Sequence, residues 1–373
     1  MRVLMTGGGT GGHINPAIAI AKIIERNEPG SEIVFVGTPR GMENRLVPRE
    51  GYELRHIDIC GFDRKNPFNN IKTLGLMATS VGKAKKLIRE FSPDVCIGTG
   101  GYVSWPLIRA AEEMKIPTAM HEANALAGAA IKALAPHLDL LLTNFDGMES
   151  QVKCRNVVHC GNPLRKGFDS ALTREEAYRR LGFDGKYERS LLSFGGSLGA
   201  ASINDVAMTV MTEYSAGRDG LHHLHQTGTR YYEAEKTKFT ERGLDAFGNL
   251  VLTDYIYDMP ERLVAADLVI CRAGAMTVSE LALLGKPAIL IPSPNVTDNH
   301  QYKNAKALAD KGAAVLIEEK DIYGEKDKLS ISDTVMSLIE DENKLKEMSE
   351  AISGFAVRNA DKIIYSSVRS ILR

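Results

Sequence analysis

Two glycine-rich loops, one in each half of the chain, constrain the fold more than any other feature. The first has the sequence GGGTGGH at residues 7–13 and directly follows a short apolar segment at 2–6. The second has the sequence GGSLG at residues 195–199 and directly follows an apolar segment at 190–194. A strand that turns through glycines into a helix points backbone N–H groups at an anion. The repeated unit predicts two nucleotide-binding folds that face a cleft and hold a phosphate-bearing ligand.

The length of the chain also predicts two domains. Its 373 residues are too many for one comfortable core, since domains usually hold about 100–200 residues. We place the first domain at residues 1–163 and the second at 164–356. The alternation of strands and helices pauses between them in a polar, charged stretch that ends near residue 189. The tail is helical by pattern, and segment 357–373 is expected to pack back on the first domain.

Apolar segments alternate with helical patterns throughout both halves. The predicted strands are 2–6, 32–36, 54–59, 94–97, 117–121, 138–143 and 157–160 in the first half, and 190–194, 221–226, 249–252, 268–271, 288–292 and 314–317 in the second. A helix is predicted from Pro16 to Arg26, with Asn15 as its N-cap. This alternation predicts an α/β class with parallel sheets, in which ligands bind at the carboxyl ends of strands. Every glycine-rich segment lies at such an end.

Composition narrows the class of protein. A formal net charge of −1 gives no overall argument for a nucleic-acid partner, and five cysteines follow no metal or disulfide spacing. Such cysteine use is typical of reduced thiols in a cytosolic protein. No apolar run reaches the roughly 18–20 residues of a membrane span. The first residues enter a predicted core strand at once, so we expect no signal peptide and a cytoplasmic location.

A cluster of histidines could suggest a metal, but its spacing argues against one. His222, His223 and His225 lie within a predicted strand, where side chains alternate between faces. At most His223 and His225 share a face, so we expect no metal site there. The chain also has no Asp-x-Asp segment of the kind that holds a metal diphosphate in many sugar-nucleotide enzymes.

One stretch, residues 64–89, has an unusual charge pattern. It contains seven lysines and arginines and no acidic residue, with apolar residues between them; the basic residues are Arg64, Lys65, Lys72, Lys83, Lys85, Lys86 and Arg89. A basic stretch with apolar neighbours can lie on an anionic bilayer surface. The alternative is an ordinary helix with a solvated basic face and an apolar stripe packed on the protein.

The first glycine loop also matches G-x-G-x-x-G, which is a weak signal for a dinucleotide site. Such a site requires an acidic residue at the end of the second strand, and residues 36–39 contain none. His13 is expected at the loop tip beside a helix N-terminus, whose positive end favours the neutral ring. A neutral imidazole can accept a proton. The alternative is that His13 only forms a hydrogen bond with its loop.

Three further segments carry candidate polar groups. The 195–199 loop is expected to donate backbone N–H groups and the Ser197 hydroxyl to a diphosphate, unless it is only a tight turn. In segment 271–280, Glu280 either binds ribose hydroxyls or forms a capping box with Thr277. Segment 298–302 either binds the hydroxyls of a sugar or caps a helix through Asp298 or Asn299. Segment 121–124 (HEAN) occupies the matching place in the first half.

Taken together, these motifs resemble one family. TGGGTGGHINP at 6–16, HEAN at 121–124, GNPLR at 161–165, GGSLGA at 195–200, CRAGAMTVSE at 271–280 and NHQY at 299–302 look like the MurG family of bacterial glycosyltransferases. The resemblance covers nearly the whole chain, in order. It implies the GT-B architecture and an inverting transfer of N-acetylglucosamine from UDP-N-acetylglucosamine to the 4-hydroxyl of undecaprenyl-diphospho-N-acetylmuramoyl-pentapeptide, a step of peptidoglycan synthesis.

The resemblance also assigns expected roles to individual residues. His13 matches the family's candidate base. Expected on the acceptor side are Thr10, Gly11, Gly12 and Asn124. Expected on the donor side are Arg165, Ser197, Ile256, Ala275, Met276, Thr277, Val278, Ser279, Glu280, His300 and Gln301. Among these, Arg165, Ser197 and the helix starting at 275–277 would meet the diphosphate, the Ile256 backbone the uracil, Glu280 the ribose and Gln301 the sugar. His300 stands where some members carry a second glutamine.

The implied setting is the inner face of the cell membrane, with residues 64–89 docked on anionic lipid. No cofactor is implied, and a requirement for a divalent cation is left open. Other interpretations stay open on the residues alone. A related transferase could glycosylate diacylglycerol, a UDP-N-acetylglucosamine 2-epimerase shares the fold, and a nucleotide-binding scaffold protein would have no turnover.

Overall fold

The computed structural model describes residues 1–59, 70–164, 168, 172–322 and 330–372. The chain divides into two compact units. One comprises Met1–Arg165 together with Val357–Arg373, and the other comprises Lys166–Ala356. Each unit is built around its own sheet, and every strand pair in both sheets is parallel. The predicted α/β class with two parallel sheets is confirmed.

The strands follow the predicted order along the chain. They are β1 (Arg2–Thr6), β2 (Glu32–Gly37), β3 (Glu53–His56), β4 (Val95–Gly98), β5 (Thr118–Glu122), β6 (Leu140–Thr143) and β7 (Val157–His159) in the first unit, and β8 (Tyr187–Phe194), β9 (Gly220–Gln226), β10 (Leu250–Thr253), β11 (Leu268–Cys271), β12 (Ala288–Leu290) and β13 (Val315–Leu316) in the second. The apolar segments therefore identified the strands, and only their ends differ by a few residues.

Helices connect these strands on both faces of each sheet. They are α1 (Gly11–Asn27), α2 (Glu43–Arg49), α3 (Asn70–Phe91), α4 (Ser104–Glu113), α5 (Ala129–Leu134), α6 (Arg174–Leu181), α7 (Ala201–Val210), α8 (Tyr232–Glu241), α9 (Met259–Ala265), α10 (Ala275–Leu284), α11 (His300–Ala309), α12 (Glu319–Ile322), α13 (Ile331–Ile339), α14 (Glu342–Ser353) and α15 (Ala360–Ser370). Among the described residues, no helix combines the length and the apolar character that a membrane crossing requires.

In the first unit, α1 and the C-terminal helix α15 cover one face of the sheet, while α3, α4 and α5 cover the other. The contact of α15 is both apolar and polar. Ile364 and Val368 are buried in the core of the unit, and the Tyr365 hydroxyl donates to Glu28 at 2.9 Å. An apolar stripe thus brings the end of the chain back to its first helix, since burial of that stripe removes it from water.

The strand order creates one crevice in each sheet. The orders are β3-β2-β1-β4-β5-β6-β7 and β10-β9-β8-β11-β12-β13, so the chain reverses its direction of growth beside β1 and beside β8. Ligands of parallel sheets bind at such switch points, outside the carboxyl ends of the strands. The loops that follow β1 and β4 meet at one switch point, and those that follow β8 and β11 meet at the other.

The start of α1 differs from the prediction. The helix begins at Gly11, with Thr10 as its N-cap residue, and continues through Pro16. Asn15 is therefore inside the helix rather than at its cap. His13 is the third residue of α1 instead of the tip of a loop. Pro16 predicts a first helical residue because proline favours that position, but Gly11 and Gly12 before it also lie in the helix.

Candidate functional site

The first turn of α1 orients His13. The carbonyl of Thr10 accepts the backbone N–H of His13 at 3.1 Å, and the ring folds back over the loop. The Nδ1 atom of His13 lies 3.1 Å from the carbonyl oxygen of Gly8. A carbonyl oxygen can only accept, so Nδ1 carries a proton, and in the neutral ring the lone pair is therefore on Nε2. The neutral ring is therefore a proton acceptor at Nε2, and the hydrogen bond to the loop and a role as base are compatible.

A further glycine-rich segment, residues 98–101 at the end of β4, packs closely on the glycine loop at residues 7–13. The Thr99 hydroxyl donates to the carbonyl of His13 at 2.7 Å, and the Gly8 N–H donates to the carbonyl of Gly100 at 3.4 Å. Gly100 has φ +106°, and a Cβ there would lie 2.7 Å from Cδ2 and 3.0 Å from Nε2 of His13. Glycine at position 100 therefore avoids a steric clash with the imidazole of His13.

Glu43 was not predicted from the sequence, because this acid lies at the start of α2 rather than directly at the end of β2. It begins α2, is 1% exposed, and accepts from the Thr38 N–H at 2.9 Å, the Thr38 hydroxyl at 2.7 Å and the Gly9 N–H at 3.2 Å. Burial alone raises the pKa of this carboxyl, but these hydrogen bonds outweigh it and lower the pKa below its usual range. The carboxylate therefore holds the glycine loop, and a ribose has no access to it.

Asn124 is positioned by its neighbour Glu122 at the end of β5. One carboxylate oxygen of Glu122 accepts from both the backbone N–H and the side-chain amide of Asn124, each at 3.0 Å. The other oxygen accepts from the Gly128 N–H at 2.9 Å, just before α5. Because the side-chain N–H₂ of Asn124 faces Glu122, the orientation of its amide is fixed. The HEAN motif is thus a carboxylate that holds an asparagine.

The glycine loop after β8 presents unused donors. The Gly199 N–H donates to the carbonyl of Gly196 at 2.9 Å, which closes a tight turn around Ser197 and Leu198. Both central residues are exposed, and among the described residues neither Ser197 nor Leu198 has a hydrogen-bond partner. The start of α7 that follows has no side-chain cap. The loop therefore supplies N–H groups, a hydroxyl and a helix N-terminus, as a diphosphate requires.

Helix α10 begins one residue after Gly274, and this start excludes the capping box. Gly274 is the N-cap residue without a side-chain hydrogen bond, so Thr277 and Glu280 both lie inside the helix. Glu280 is 9% exposed. The predicted end of the helix is confirmed, since Gly285 has φ +62° and the Lys286 N–H donates to the carbonyl of Leu281.

The other candidates on α10 differ in what they can offer. Ala275, Met276 and Thr277 form the first turn and are half-buried. Val278 has a buried side chain, and its N–H donates to the carbonyl of Gly274 at 2.9 Å, so neither group is available. The Ser279 hydroxyl donates to the carbonyl of Ala275 at 3.1 Å. The helix has no side-chain cap, and the positive end of its dipole suits a phosphate.

Ile256 lies in the loop after β10, and a second missed residue holds it. The Ile256 N–H donates to Oε1 of Gln226 at 3.2 Å, and Nε2 of Gln226 donates to the carbonyl of Gly196 at 3.0 Å. Gln226 is the last residue of β9 and is 2% exposed. Its place at the carboxyl end of a central strand was the signal that could have identified it.

The segment after β12 holds His300 and Gln301 at the start of α11. Oε1 of Gln301 accepts the Ser293 N–H at 2.9 Å, which directs the amide, and Nδ1 of His300 donates to the carbonyl of Thr297 at 2.8 Å. Asp298 and Asn299 both have positive φ, at 54° and 53°, and Asn299 makes no side-chain cap. Two consecutive non-glycine residues in this conformation store strain, which is common where a loop meets a ligand.

The histidines of β9 belong to a buried hydrogen-bond chain. Ser193 joins Nε2 of His223 at 3.0 Å and Nδ1 of His225 at 2.9 Å, and Nε2 of His225 contacts Oδ1 of Asn204 at 3.1 Å. His222 instead packs its ring on Phe183, 4.3 Å between centroids. Across the part of the chain that the structure describes, no group of three or more His, Cys, Asp or Glu is arranged to hold a metal ion.

Arg165, which was predicted to bind the donor, lies outside the described residues. The same holds for Arg64 and Lys65 of the basic stretch, and for the side chain of Lys72. In the described part of α3, Lys83 pairs with Asp58 at 2.6 Å, Lys85 with Glu113 at 2.6 Å and Lys86 with Glu90 at 3.8 Å. The apolar side chains of this part, Val81, Ala84, Leu87 and Ile88, pack on the core of the first unit. This part of the basic stretch is thus a helix whose apolar side chains face the core and whose paired lysines face solvent, and its contact with a membrane stays a prediction.

Comparison with known proteins identifies the family. Residues 3–141 match the glycosyltransferase family 28 N-terminal domain, and residues 190–364 match the glycosyltransferase family 28 C-terminal domain. The UDP-N-acetylglucosamine–N-acetylmuramyl-(pentapeptide) pyrophosphoryl-undecaprenol N-acetylglucosamine transferase of Acetivibrio thermocellus is 40% identical over 100% of this chain and 99% of its own. The enzyme of the same name from Bacillus subtilis is 39% identical over 100% of this chain and 99% of its own.

A crystal structure of MurG from Acinetobacter baumannii matches with a TM-score of 0.78 and 28% identity, over 99% of both chains. The chain belongs to the MurG family. It is therefore a glycosyltransferase with the GT-B fold, as the resemblance implied. A UDP-GlcNAc 2-epimerase from Neisseria meningitidis also matches, with a TM-score of 0.62 over 99% of this chain and all of its own. At 13% identity, that match shows the fold alone.

Proposed function

We propose that this enzyme transfers N-acetylglucosamine from UDP-N-acetylglucosamine to the 4-hydroxyl of undecaprenyl-diphospho-N-acetylmuramoyl-pentapeptide. The names of its relatives in Acetivibrio thermocellus and Bacillus subtilis describe this transfer. The observation that carries the proposal is the orientation of His13, whose Nδ1 donates to Gly8 and whose Nε2 keeps its lone pair. Transfer to a hydroxyl requires such a base, and simple binding of a nucleotide does not.

The proposed reaction inverts the anomeric centre. The muramoyl oxygen attacks the anomeric carbon from one face while the bond to the UDP oxygen breaks on the other. The proton of the attacking hydroxyl passes to Nε2 of His13, and the electron pair of the broken bond leaves with UDP. A protonated His13 returns its proton to water after release of the products.

The donor is proposed to lie along the carboxyl ends of β8 to β12. The exposed donors around Ser197 and the first turns of α7 and α10 stabilise the charge that develops on the diphosphate. The Glu280 carboxylate accepts the ribose hydroxyls, and the Ile256 backbone reads the uracil. Gln301, whose Oε1 is fixed by Ser293, and His300 bind the transferred sugar. Arg165 is proposed to add positive charge.

The acceptor is proposed to bind the first unit through Thr10, Gly11 and Gly12 at the uncapped start of α1, and through Asn124. Its lipid places the enzyme at the inner face of the cell membrane. We propose that the basic stretch at residues 64–89 makes the membrane contact. No resident cofactor is proposed, and a divalent cation would act by neutralising the diphosphate of UDP.

The test offers radiolabelled UDP-N-acetylglucosamine to the enzyme with three acceptors in parallel. These are a short-chain polyprenyl-diphospho-muramoyl-pentapeptide, diacylglycerol and no acceptor. Labelled disaccharide product in the first reaction alone is the expected result. Labelled glycolipid in the second reaction would replace the acceptor, and labelled UDP-N-acetylmannosamine in the third would indicate an epimerase. Each reaction is run once with Mg²⁺ and once with EDTA. A loss of transfer in EDTA would show that the enzyme requires a divalent cation.

A further inference from the structure

Gln226 joins two loops that the proposed function gives to different parts of the nucleotide. Its Nε2 donates to the carbonyl of Gly196 at 3.0 Å, in the loop after β8, and its Oε1 accepts the N–H of Ile256 at 3.2 Å, in the loop after β10. With 2% of its surface exposed, the side chain is held by its neighbours on all sides. We propose that Gln226 is a positioning residue that sets the spacing between the diphosphate loop and the base-binding loop.

The contacts around Gln226 support a clamp rather than an incidental pair of hydrogen bonds. The Gly196 carbonyl oxygen accepts two hydrogen bonds, one from Nε2 of Gln226 and one from the Gly199 N–H that closes the turn. The segment that follows Gln226 packs directly on this turn. A Cβ on Gly199 would lie 1.9 Å from the carbonyl oxygen of Thr227, and one on Gly228 would lie 2.2 Å from the Gly199 nitrogen.

The loop after β10 is held by the hydrogen bond to Gln226 and by the packing of the Ile256 side chain, which is 5% exposed. It follows the edge strand of the sheet, which pairs with β9 alone. An edge loop is free to move unless a side chain from the interior holds it. Gln226 provides that link at the end of β9, between β8 and β10, and its side-chain length matches the distance between the two backbone groups. The inference rests on the proposed binding of UDP by these loops.

The effect of removing Gln226 on UDP affinity distinguishes a positioning role from a blocking role, because the two roles predict opposite changes. If Gln226 sets the loop spacing, its removal weakens the binding of UDP, since a bivalent ligand gains from two sites held at the right distance. If Gln226 only occupies the Ile256 N–H that the base would use, its removal strengthens binding. Uridine and inorganic pyrophosphate each contact one loop, so a positioning role leaves their affinities nearly unchanged.

The test measures the Kd of UDP, uridine and pyrophosphate for the full-length enzyme and for Gln226→Ala. The expected result is a Kd for UDP that rises about tenfold, the effect of about one hydrogen bond, with less than a twofold change for either fragment. Gln151→Ala is the matched control, because Gln151 bridges the Ala127 N–H and the Ala125 carbonyl in the same way in the first unit. Its Kd for UDP should equal that of the wild type.

Gln226→Glu provides a second, pH-dependent readout. The carboxylate still accepts from Ile256 but repels the carbonyl of Gly196, whereas the protonated acid donates to that carbonyl as the amide does. The ratio of its UDP Kd to that of the wild type should therefore fall as pH is lowered from 8 to 5. Equal UDP affinity in the wild type and Gln226→Ala, or tighter binding by the variant, would overturn the inference. Absence of UDP binding by the wild type would overturn the proposed function as well.

Discussion

The Nδ1–H of His13 donates to the carbonyl oxygen of Gly8, five residues earlier in the chain. This bond joins the first turn of α1 to the loop before it, so the same glycines that shape the anion site also fix the tautomer of the histidine. The ring is further confined by Gly100, whose Cα approaches it from the loop after β4. The position and the tautomer of the ring thus depend on glycine-rich segments that follow two neighbouring strands, β1 and β4.

Removal of the proposed base should affect turnover far more than binding. For His13→Asn we expect kcat to fall by about 10²–10⁴-fold, the usual contribution of general-base catalysis. The Kd for UDP should stay within twofold of the wild type, because the donor candidates lie in the other unit. Steady-state transfer rates and calorimetric titration with UDP measure the two quantities. A kcat within fivefold of the wild type would exclude His13 as the base.

Gly100→Ala should disturb the same ring without removing it. The new Cβ would lie 2.7 Å from Cδ2 of His13, so the imidazole must move, and we expect kcat to fall at least tenfold. Alanine at φ +106° also costs about 1–2 kcal/mol of stability. Gly30→Ala is the control, since Gly30 has φ +90° with nothing within 4 Å of a Cβ. It should lose similar stability and retain full kcat, and a joint loss of activity in both variants would contradict this explanation.

Glu122→Gln should weaken the acceptor side selectively. The two carboxylate oxygens of Glu122 both accept hydrogen bonds, from Asn124 and from Gly128. In glutamine only one of the two atoms is an acceptor, so this arrangement and the orientation of Asn124 are disturbed. We expect kcat/KM for the acceptor to fall about tenfold or more, the effect of losing one charge-assisted hydrogen bond, with KM for UDP-N-acetylglucosamine unchanged. Asp139→Asn is the control, because Asp139 accepts from the Thr118 N–H at 2.9 Å at the start of β5, the opposite end of the strand.

Glu280→Gln should weaken the donor side. Hydrogen bonds to a charged group contribute about 1.5–3 kcal/mol, so we expect the Kd for UDP to rise by at least tenfold. The Kd for uracil-containing fragments without ribose should not change. Glu235 is a suitable control position, because it is 4% exposed on α8 and pairs with Lys238 at 2.8 Å. If Glu280→Gln and the wild type bound UDP equally, the carboxylate would have no role in holding the ribose.

The buried histidines should make the enzyme less stable in mild acid. Burial lowers the pKa of His225 to about 4, which the carbonyl of Ser193 opposes, and burial also lowers the pKa of His121 to about 4. The unfolded chain takes up protons near pH 6.5, whereas the folded chain does so only near pH 4. The unfolded state therefore binds more protons between these values, and the free energy of unfolding falls as pH falls.

Each such histidine should contribute about 1.4 kcal/mol per pH unit in this window. Urea unfolding followed at intervals from pH 7 to pH 4.5 measures the slope. His225→Gln keeps a side-chain acceptor and donor near Ser193 and removes one titrating group, so the slope should decrease by about 1.4 kcal/mol per pH unit. An unchanged slope in this variant would mean that His225 is protonated in the folded protein.

The fold class of this protein was predictable from the local pattern of its residues. Alternating apolar segments predicted the strands of two parallel sheets, since local hydrophobic pattern and glycine turns act over a few residues. The two glycine loops followed from the same pattern, and the roles of His13, Ser197 and Glu280 stay predictions. The helix start at Gly11 was missed because proline at 16 gave the stronger local signal.

Tertiary structure alone decided which of these groups act together. Glu43 holds Gly9, Gly100 confines His13, and Gln226 joins Gly196 to Ile256. These partners are separated by about 30 to 90 residues and meet because strand order brings the carboxyl ends of β2, β1 and β4, and of β10, β9 and β8, side by side. Local pattern carries no information about strand order, since order depends on how crossover connections pack on the whole sheet.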